Sequence, residues 1–332
     1  MADAPLLAIR DLCVRIHDAR GTVHALNGVD LDLAAGDSLG VVGESGAGKS
    51  QLALAIMGLS APGTEVSGSI ALDGAELIGM APRAHRRLRG RVAAMVFQDP
   101  MRALNPYMTV GAQLAEGMRA HGLHRGRAAR AESRRLLELV RIPQAERRLR
   151  QYPHELSGGM RQRVMIAMAL SCRPGLLIAD EATTALDVTV QAGILALLDE
   201  LRREQSVALL MISHDLGVIA QSCAHTAVLY AGRVVEAGPT PALLAAPRHP
   251  YTDGLLRARP SLDVTADRAL PAIPGAPPDP RALPEGCAFA PRCAHADALC
   301  GQRPALRDLG GTRAACHHPL AAPAGDPAGL QR

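Results

Sequence analysis

An α/β fold built on a buried, largely parallel sheet is the expectation for this chain of 332 residues. Three observations point to it. A short apolar run at 39–42 leads into a glycine-rich octapeptide, and apolar positions at helical spacing follow over 49–59. A second apolar run, 176–179, ends in two carboxylates, Asp180 and Glu181. A third, "VALLMIS" at 207–213, ends against His214. Short apolar runs bounded by turn signals are how strands covered on both faces read.

Composition bounds the function. The net charge of +4 is too mild to imply nucleic acid by itself. No apolar run approaches the ~18 residues that span a bilayer. The start "MADAPLLAIRDL" has no basic region followed by a long apolar one, so no secretory leader is expected. A cytosolic site with reduced thiols is the expectation. Of 36 basic residues, Lys49 alone is lysine, and only six residues are aromatic. In a chain this biased to arginine, a single lysine marks a place where a planar guanidinium cannot replace a compact ammonium.

In chain order, residues 6–34 read as two strands around the turn "DARG", the start of a small antiparallel sheet. Next, Gly43-Glu44-Ser45-Gly46-Ala47-Gly48-Lys49-Ser50 fits G-x-x-x-x-G-K-[ST] between a strand and a helix. Glycines let backbone N–H groups turn inward around phosphate, and the helix start adds partial positive charge. Lys49 is the candidate for the β- and γ-phosphates, and Ser50 for Mg²⁺. Gln51 follows as a further nucleotide contact. Residues 98–157 read mostly helical, with "AARAESRRLLELVRI" the clearest helix through Leu136, Leu137 and Val140. The helical subdomain is expected at about 99–160, with no long coiled-coil insertion.

"HELSGGMRQRVMIAMAL" should open a helix capped by Ser157, with free amides at Gly158 and Gly159 and one apolar side over 160–170. "SGG" alone is an ordinary cap. About 18 residues before a carboxylate pair, in a chain that already has a phosphate loop, it suits the γ-phosphate of a nucleotide held by another subunit. Asp180 and Glu181 stand where a parallel strand opens into the ligand crevice. Asp180 is suited to Mg²⁺ and Glu181 to polarising the attacking water. "VTVQAGILALLDELRREQ" reads as an amphipathic helix through Val190, Ile194, Leu197 and Leu201. The arginine-rich stretches at 83–91 and 119–150 read as solvated helical faces rather than a nucleic-acid surface, because no aromatics interleave to stack bases.

Taken together, the octapeptide at 43–50, "FQDP" with Gln98, "LSGGM" at 156–160, "LLIADE" at 176–181, "TALD" with Asp187 and "SHD" with His214 resemble the ordered motifs of an ABC-type ATPase. The resemblance implies a P-loop NTPase core with an antiparallel β subdomain and a helical subdomain, over residues 1–255. It implies ATP and Mg²⁺ as ligands. Gln98 would contact Mg²⁺ and water and couple to a transmembrane partner, Asp187 would bridge two ATPase subunits, and His214 would reach the γ-phosphate. Further, "FQDPMRALNPYMTVGAQL", "APRHPYTDGLL" and the tail "PEGCAFAPRC" are similar to the ATP-binding subunits of dipeptide and oligopeptide importers, which have nickel and glutathione relatives. That implies a second, different ATP-binding subunit, two permease subunits, an extracytoplasmic binding protein and a peripheral place on the cytoplasmic face of the inner membrane. A soluble ABC ATPase of DNA repair or ribosome rescue is the alternative, disfavoured by the single core. A P-loop kinase has no role for "LSGGM".

Two departures stand out. The position where this family stacks adenine on an aromatic carries Ile16, and Ala182 follows Glu181 where proline is usual. From about 256 the composition shifts: 268–286 is proline-rich and reads as an extended linker, and 287–318 lacks periodicity. Four of seven cysteines, Cys287, Cys293, Cys300 and Cys316, fall here, which reads as a small cysteine-containing module within a C-terminal extension, 256–332. A loop-rich module needs a staple, and in a reducing cytosol a metal suits better than a disulfide. The spacing C-x5-C-x6-C-x15-C lacks the close pairs of most zinc sites. The importer resemblance implies a [4Fe–4S] cluster; zinc, with help from His295, His317 or His318, and no metal at all stay open. Cys13, Cys172 and Cys223 read as ordinary small core residues.

Overall fold

The computed structural model describes residues 4–182, 187–258 and 272–321. The chain begins with β1 (Leu7–Asp18), β2 (Gly21–Leu33), β3 (Ser38–Val42), α1 (Lys49–Ile56), β4 (Thr64–Leu72), β5 (Ala75–Glu76), α2 (Pro82–Leu88) and β6 (Ala93–Val96). It continues through α3 (Pro100–Ala103), α4 (Val110–Ala120), α5 (Gly126–Leu139), α6 (Ala145–Arg148), α7 (Gly158–Leu170), β7 (Leu176–Asp180), α8 (Val188–Gln205) and β8 (Ala208–Ser213). It closes with α9 (Leu216–Ser222), β9 (His225–Tyr230), β10 (Arg233–Pro239), α10 (Thr240–Ala245), α11 (Pro250–Arg257), β11 (Arg307–Asp308) and β12 (Arg313–Ala314).

Two sheets organise it. The first is antiparallel, in the order β2-β1-β4-β5, and its hairpin closes with Asp18 opposite Gly21. The second runs β11-β12-β10-β9-β3-β8-β7-β6, and from β9 to β6 every pair is parallel. All residues of β3, β7 and β8 are buried, as expected for strands covered on both faces. Period-2 alternation divides them: Leu176, Ile178, Leu210 and Ile212 join the core shared with the antiparallel sheet and α1. Leu177, Ala179, Leu209 and Met211 join the core shared with the helices. The C-terminal ends of β3, β6, β7 and β8 therefore share one edge, and the phosphate loop, Gln98, Glu181 and His214 follow from it.

The helical subdomain holds α3 to α6, packed on α7. Thr109 caps α4 by accepting the Ala112 N–H at 3.3 Å. Leu136, Leu137 and Val140 are buried as the spacing predicts. Helix α7 differs from its expectation of one apolar side. It buries Gln162, Val164, Met165, Ile166, Ala167 and Leu170, because it runs between α3, α4, α5 and strand β6.

The C-terminal region differs more. Residues 268–271 of the expected linker lie outside the described residues; 272–286 contain no helix or strand, yet they are docked rather than free. Ile273 packs against the helical core, and the Pro280 carbonyl accepts the His24 N–H at 2.8 Å. The cysteine-containing stretch is stitched to the main sheet, since β12 pairs with β10 through Glu236 opposite Ala314. Cys172 and Cys223 are buried, with burial pushing the Cys223 thiol up to about 12; Cys13 is half-buried.

Candidate nucleotide site

A cleft of about 400 Å³ opens at the shared strand edge, lined by Ser45, Gly46, Gly48, Lys49, Ser50, Gln51, Gln98 and Glu181 at one end and Ile16, Val23, Ala25 and Pro280 at the other. The phosphate loop joins β3 to α1, and two glycines explain its sequence locally. Gly48 caps α1 with φ 103°, a left-handed conformation that suits glycine, and a Cβ there would meet the Ala25 carbonyl at 2.4 Å. Gly43 lies so close to the sheet that a Cβ would stand 2.1 Å from the Leu229 carbonyl oxygen.

Lys49 is 5% exposed and folds back over its own loop, donating to the Gly43 carbonyl at 2.8 Å and the Glu44 carbonyl at 3.0 Å. Burial pulls its pKa down, while Glu181, Asp180 and Glu44 hold it up. The Ser50 hydroxyl donates to Asp180 Oδ1 at 3.1 Å. Asp180 is buried, and burial raises its carboxyl pKa against the opposing pull of Ser50. Hydroxyl and carboxylate oxygens side by side are the donor set a hard divalent cation takes.

Glu181 is the meeting point of two loops. Gln98 donates to its Oε2 at 2.7 Å, and His214 Nδ1 stands 3.4 Å from Oε1. The Glu181 backbone has φ 46°, which turns the side chain off the end of β7. The Ala182 carbonyl accepts a bond from Gln162 Nε2 at 2.5 Å, so α7 is tied to the carboxylate-bearing turn.

Other expected residues lie elsewhere. Ser157, Gly158 and Gly159 do not line this cleft. Ser157 caps α7 through the Met160 N–H at 3.4 Å; Gly158 has open space around it; a Cβ on Gly159 would meet Val190 at 2.8 Å, so α7 and α8 approach closely there. Asp187 is exposed and caps α8 through the Val190 N–H at 2.9 Å. Residues 184–186 of the "TALD" motif lie outside the described residues, which resume at Asp187.

Glu44 is the main correction. It is expected at the nucleotide as one of the eight motif residues, yet its carboxylate points away from the cleft, into the body of the protein. Arg292 grips it at both oxygens, at 2.6 and 3.1 Å, and the Glu44 N–H donates to the Tyr251 hydroxyl at 2.8 Å. Arg292 is buried and also donates to the Tyr230 hydroxyl and to the Pro274 and Ile273 carbonyls. Glu44 above all, then Tyr230, hold its guanidinium above the usual arginine range against the cost of burial. Tyr230, Tyr251 and Phe289 pack ring on ring around it, with centroids 4.5 to 5.4 Å apart. Half of the chain's six aromatics thus brace the back of one loop. No periodicity or motif marks Arg292 or Tyr251 for this role; they lie within "APRC" and "HPY", which the family resemblance alone singles out, and the composition of 268–286 does not mark Pro280 for the cleft.

The comparisons with known proteins agree with this geometry. Residues 26–184 match the family described as ABC transporter, and residues 235–300 match the C-terminal region of oligopeptide/dipeptide transporters. The chain is 50% identical over 302 residues to the oligopeptide transport ATP-binding protein OppD of Haemophilus influenzae, across 91% of this chain and 93% of the relative. It is 49% identical over 320 residues to OppD of Escherichia coli, across 96% and 94%. A putative peptide import ATP-binding protein of Brucella abortus is 48% identical over 312 residues, across 94% of each. Among solved structures, cbiO1 from Clostridium perfringens, part of the ABC transporter complex cbiONQ, superposes with a TM-score of 0.60 at 28% identity, over 72% of this chain and 90% of that one. The ADP- and phosphate-bound dimer of the ATP-binding cassette MJ0796 has a TM-score of 0.64 at 24% identity, over 70% and 98%, a likeness of fold. A phosphate loop facing a strand-end carboxylate pair, at half identity to proteins of this kind over nine-tenths of their length, makes the chain an ABC ATPase that belongs to the ATP-binding subunits of oligopeptide ABC transporters.

Proposed function

We propose that this chain hydrolyses ATP to drive the import of oligopeptides or dipeptides, as the peripheral subunit of a transporter in the inner membrane, on its cytoplasmic face. The convergence of Gln98 and His214 on the Glu181 carboxylate supports this reading most directly. Lys49 leaves its carbonyl partners to neutralise the β- and γ-phosphates. Ser50 and Asp180 would hold Mg²⁺, which supplies charge neutralisation on the phosphate oxygens. Gln98 also faces that ion. Glu181 accepts a proton from the attacking water, and Gln98 and His214 fix the carboxylate's orientation while His214 reaches the γ-phosphate.

A second ATP-binding subunit completes the site. Ser157 and Gly158 are exposed at the start of α7 and, with the half-buried Gly159, suit the γ-phosphate of a partner's nucleotide, with Asp187 bridging the seam; a different partner chain, giving a heterodimer, follows from the importer resemblance. Permease docking is supported by the exposed apolar side chains beyond β6: Phe97, Met101 and Tyr107, the last 89% exposed, follow directly around Gln98. An external binding protein would reach this assembly through the permeases. We read residues 1–255 as the nucleotide-binding domain and 256–332 as the importer-type extension.

For that extension we favour a [4Fe–4S] cluster on Cys287, Cys293, Cys300 and Cys316. Burial first, then the other three thiols, push the Cys316 thiol up to about 11. Four facing thiols with that mutual repulsion suit a cationic centre. Among the described residues no three cysteine sulfurs lie within 4.8 Å of one another, wider than a single zinc ion draws its ligands; the compact trio there is Asp297, Cys300 and His318. Anaerobic purification with iron and sulfide assay is expected to return both elements, and a colourless, iron-free protein removes the cluster. For the ATPase itself, Glu181→Gln is expected to bind ATP normally and to lose turnover by ~100-fold or more in the assembled transporter. Turnover at the unsubstituted rate would refute Glu181 as the base.

A further inference from the structure

The nucleotide cleft has two ends, and only the phosphate end is made by the ATPase motifs. At the other end lie Ile16, Val23 and Ala25, on the last rungs of the β1–β2 hairpin, where Ile16 stands opposite Val23. Among the described residues no aromatic lines the cleft. The fourth apolar lining residue is Pro280, which comes from more than two hundred residues later in the chain, in the docked proline-rich segment.

That segment is fastened where it matters. Strand β2 is the edge of its sheet, so the His24 N–H that faces outward would be an unpaired donor. The Pro280 carbonyl accepts it at 2.8 Å. Beside it, Arg281 pairs with Asp18 at 2.5 Å, at the hairpin turn. Asp279 closes a tight turn under the proline: its carboxylate accepts the Arg281 N–H at 2.9 Å, and its carbonyl accepts the Ala282 N–H at 3.0 Å. The carbonyl is thereby spent on β2 and the proline has no N–H to offer, so what Pro280 presents to the cleft is its apolar ring.

We propose that Pro280 is a nucleobase-binding residue. The C-terminal extension lays it across the hairpin so that its ring, with Ile16 and Val23, forms an apolar slot for the base in place of the missing aromatic. This rests on the cleft being the ATP site, and it assigns to the extension a part in nucleotide binding itself. A flat base buries its faces against aliphatic walls for the same reason it stacks on rings: both remove apolar surface from water and gain dispersion contacts.

The test separates base from phosphate. Full-length protein is titrated calorimetrically, in Mg²⁺, with ATP and with inorganic tripolyphosphate. Pro280→Ala keeps the carbonyl bond to His24 and deletes the ring; it is expected to weaken ATP about three- to tenfold and to leave tripolyphosphate within about twofold. Asp18→Asn unfastens the strap without changing a cleft-lining side chain, and is expected to give the same ATP-only loss in smaller measure. Ile16→Phe is expected to tighten ATP alone, and to gain a different factor when Pro280 is alanine, because two walls of one slot couple. Unchanged ATP affinity in both Pro280→Ala and Asp18→Asn, or an equal loss of both ligands, overturns the proposal. Lys49→Ala should lose both ligands; if it binds both as the unsubstituted protein does, the cleft is not the phosphate site and the reading beneath the proposal falls with it.

Discussion

The phosphate loop has a front and a back, and they are built by different means. The front, which faces the cleft, comes from Ser45, Gly46, Gly48, Lys49, Ser50 and Gln51, where β3 passes into α1, with Glu181 from the end of β7 and Asp180 bonded to Ser50. The back is made at long range. Tyr251 holds the Glu44 N–H from 207 positions away, and Arg292 holds its carboxylate from 248 positions away. Lys49 on the front holds two backbone carbonyls, partners that the proposed phosphates would replace. Arg292 on the back is spent on fixed partners and has no exchange to make. The comparison teaches that this ATPase rests the loop carrying its one lysine on a permanently paired cation, and that this cation, unlike Tyr230 and Tyr251, comes from the C-terminal extension.

Breaking the front should have the largest effect. Lys49→Ala removes the one ammonium of the chain from a water-poor loop, and ATP turnover in the assembled transporter is expected to fall by ~100-fold or more. Thermal stability should change little, because the Lys49 ammonium is partly desolvated and bonded only to two carbonyls. Steady-state turnover and a melting curve on the same preparation check both halves.

Breaking the back should move stability first. Arg292→Leu leaves the Glu44 carboxylate, 27% exposed, against the Tyr230–Tyr251–Phe289 cluster without its cation. Partial exposure lets water relieve some of the cost, so the expected loss is about 2–3 kcal/mol, read from denaturant midpoints. Adding Glu44→Gln should recover part of it, since the stranded charge is then gone. ATP affinity should weaken in the single variant as the loop loses its anchor. A single variant as stable as the unsubstituted protein, with normal ATP affinity, would mean that front and back are independent.

The same division decides what the sequence could tell. The front was legible because its chemistry needs particular residue types at adjacent positions, and because β3, β7 and β8, covered on both faces, read as unbroken apolar runs. The β1–β2 hairpin was legible from its turn, and the α7 start from Ser157. The back was not, because a bond between positions 44 and 292 leaves no local period. The motif places Glu44 at the nucleotide; its carboxylate goes to Arg292 because the extension brings that buried guanidinium against the loop. Helix α7 was read as one-sided because its pattern does not show that three helices and a strand surround it. The proline-rich segment was read as a spacer because composition sets stiffness and says nothing of docking. The four cysteines were legible as a group, while the spread of their sulfurs was not.

The smallest effect expected separates the brace from the cleft by pH. His249 is buried at the start of α11, and its Nδ1 accepts the Tyr251 N–H at 3.0 Å, which caps the helix that carries the Tyr251 hydroxyl to the phosphate loop. Burial pulls its pKa down from 6.5 to about 4. The folded protein therefore holds this imidazole neutral while the unfolded chain protonates it, so stability from this group is whole above pH 6.5 and is lost as pH falls toward 4. The loss should reach about 2 kcal/mol between pH 6.5 and 5. Glu236, buried beside it and accepting the His249 N–H at 2.9 Å, has its carboxyl pKa raised by burial and works in the opposite sense, adding stability as it takes up a proton. A bare pH profile would mix the two. His249→Asn keeps an acceptor for the Tyr251 N–H and removes the titration, leaving Glu236 in place, so the difference between the two urea-midpoint profiles isolates the histidine. The variant should show the flatter acid limb, and Mg²⁺-ATP affinity at pH 7.5 should stay unchanged because the cap survives. Parallel profiles would mean that the imidazole is not held neutral by its burial, and the brace would then carry no acid sensitivity of its own.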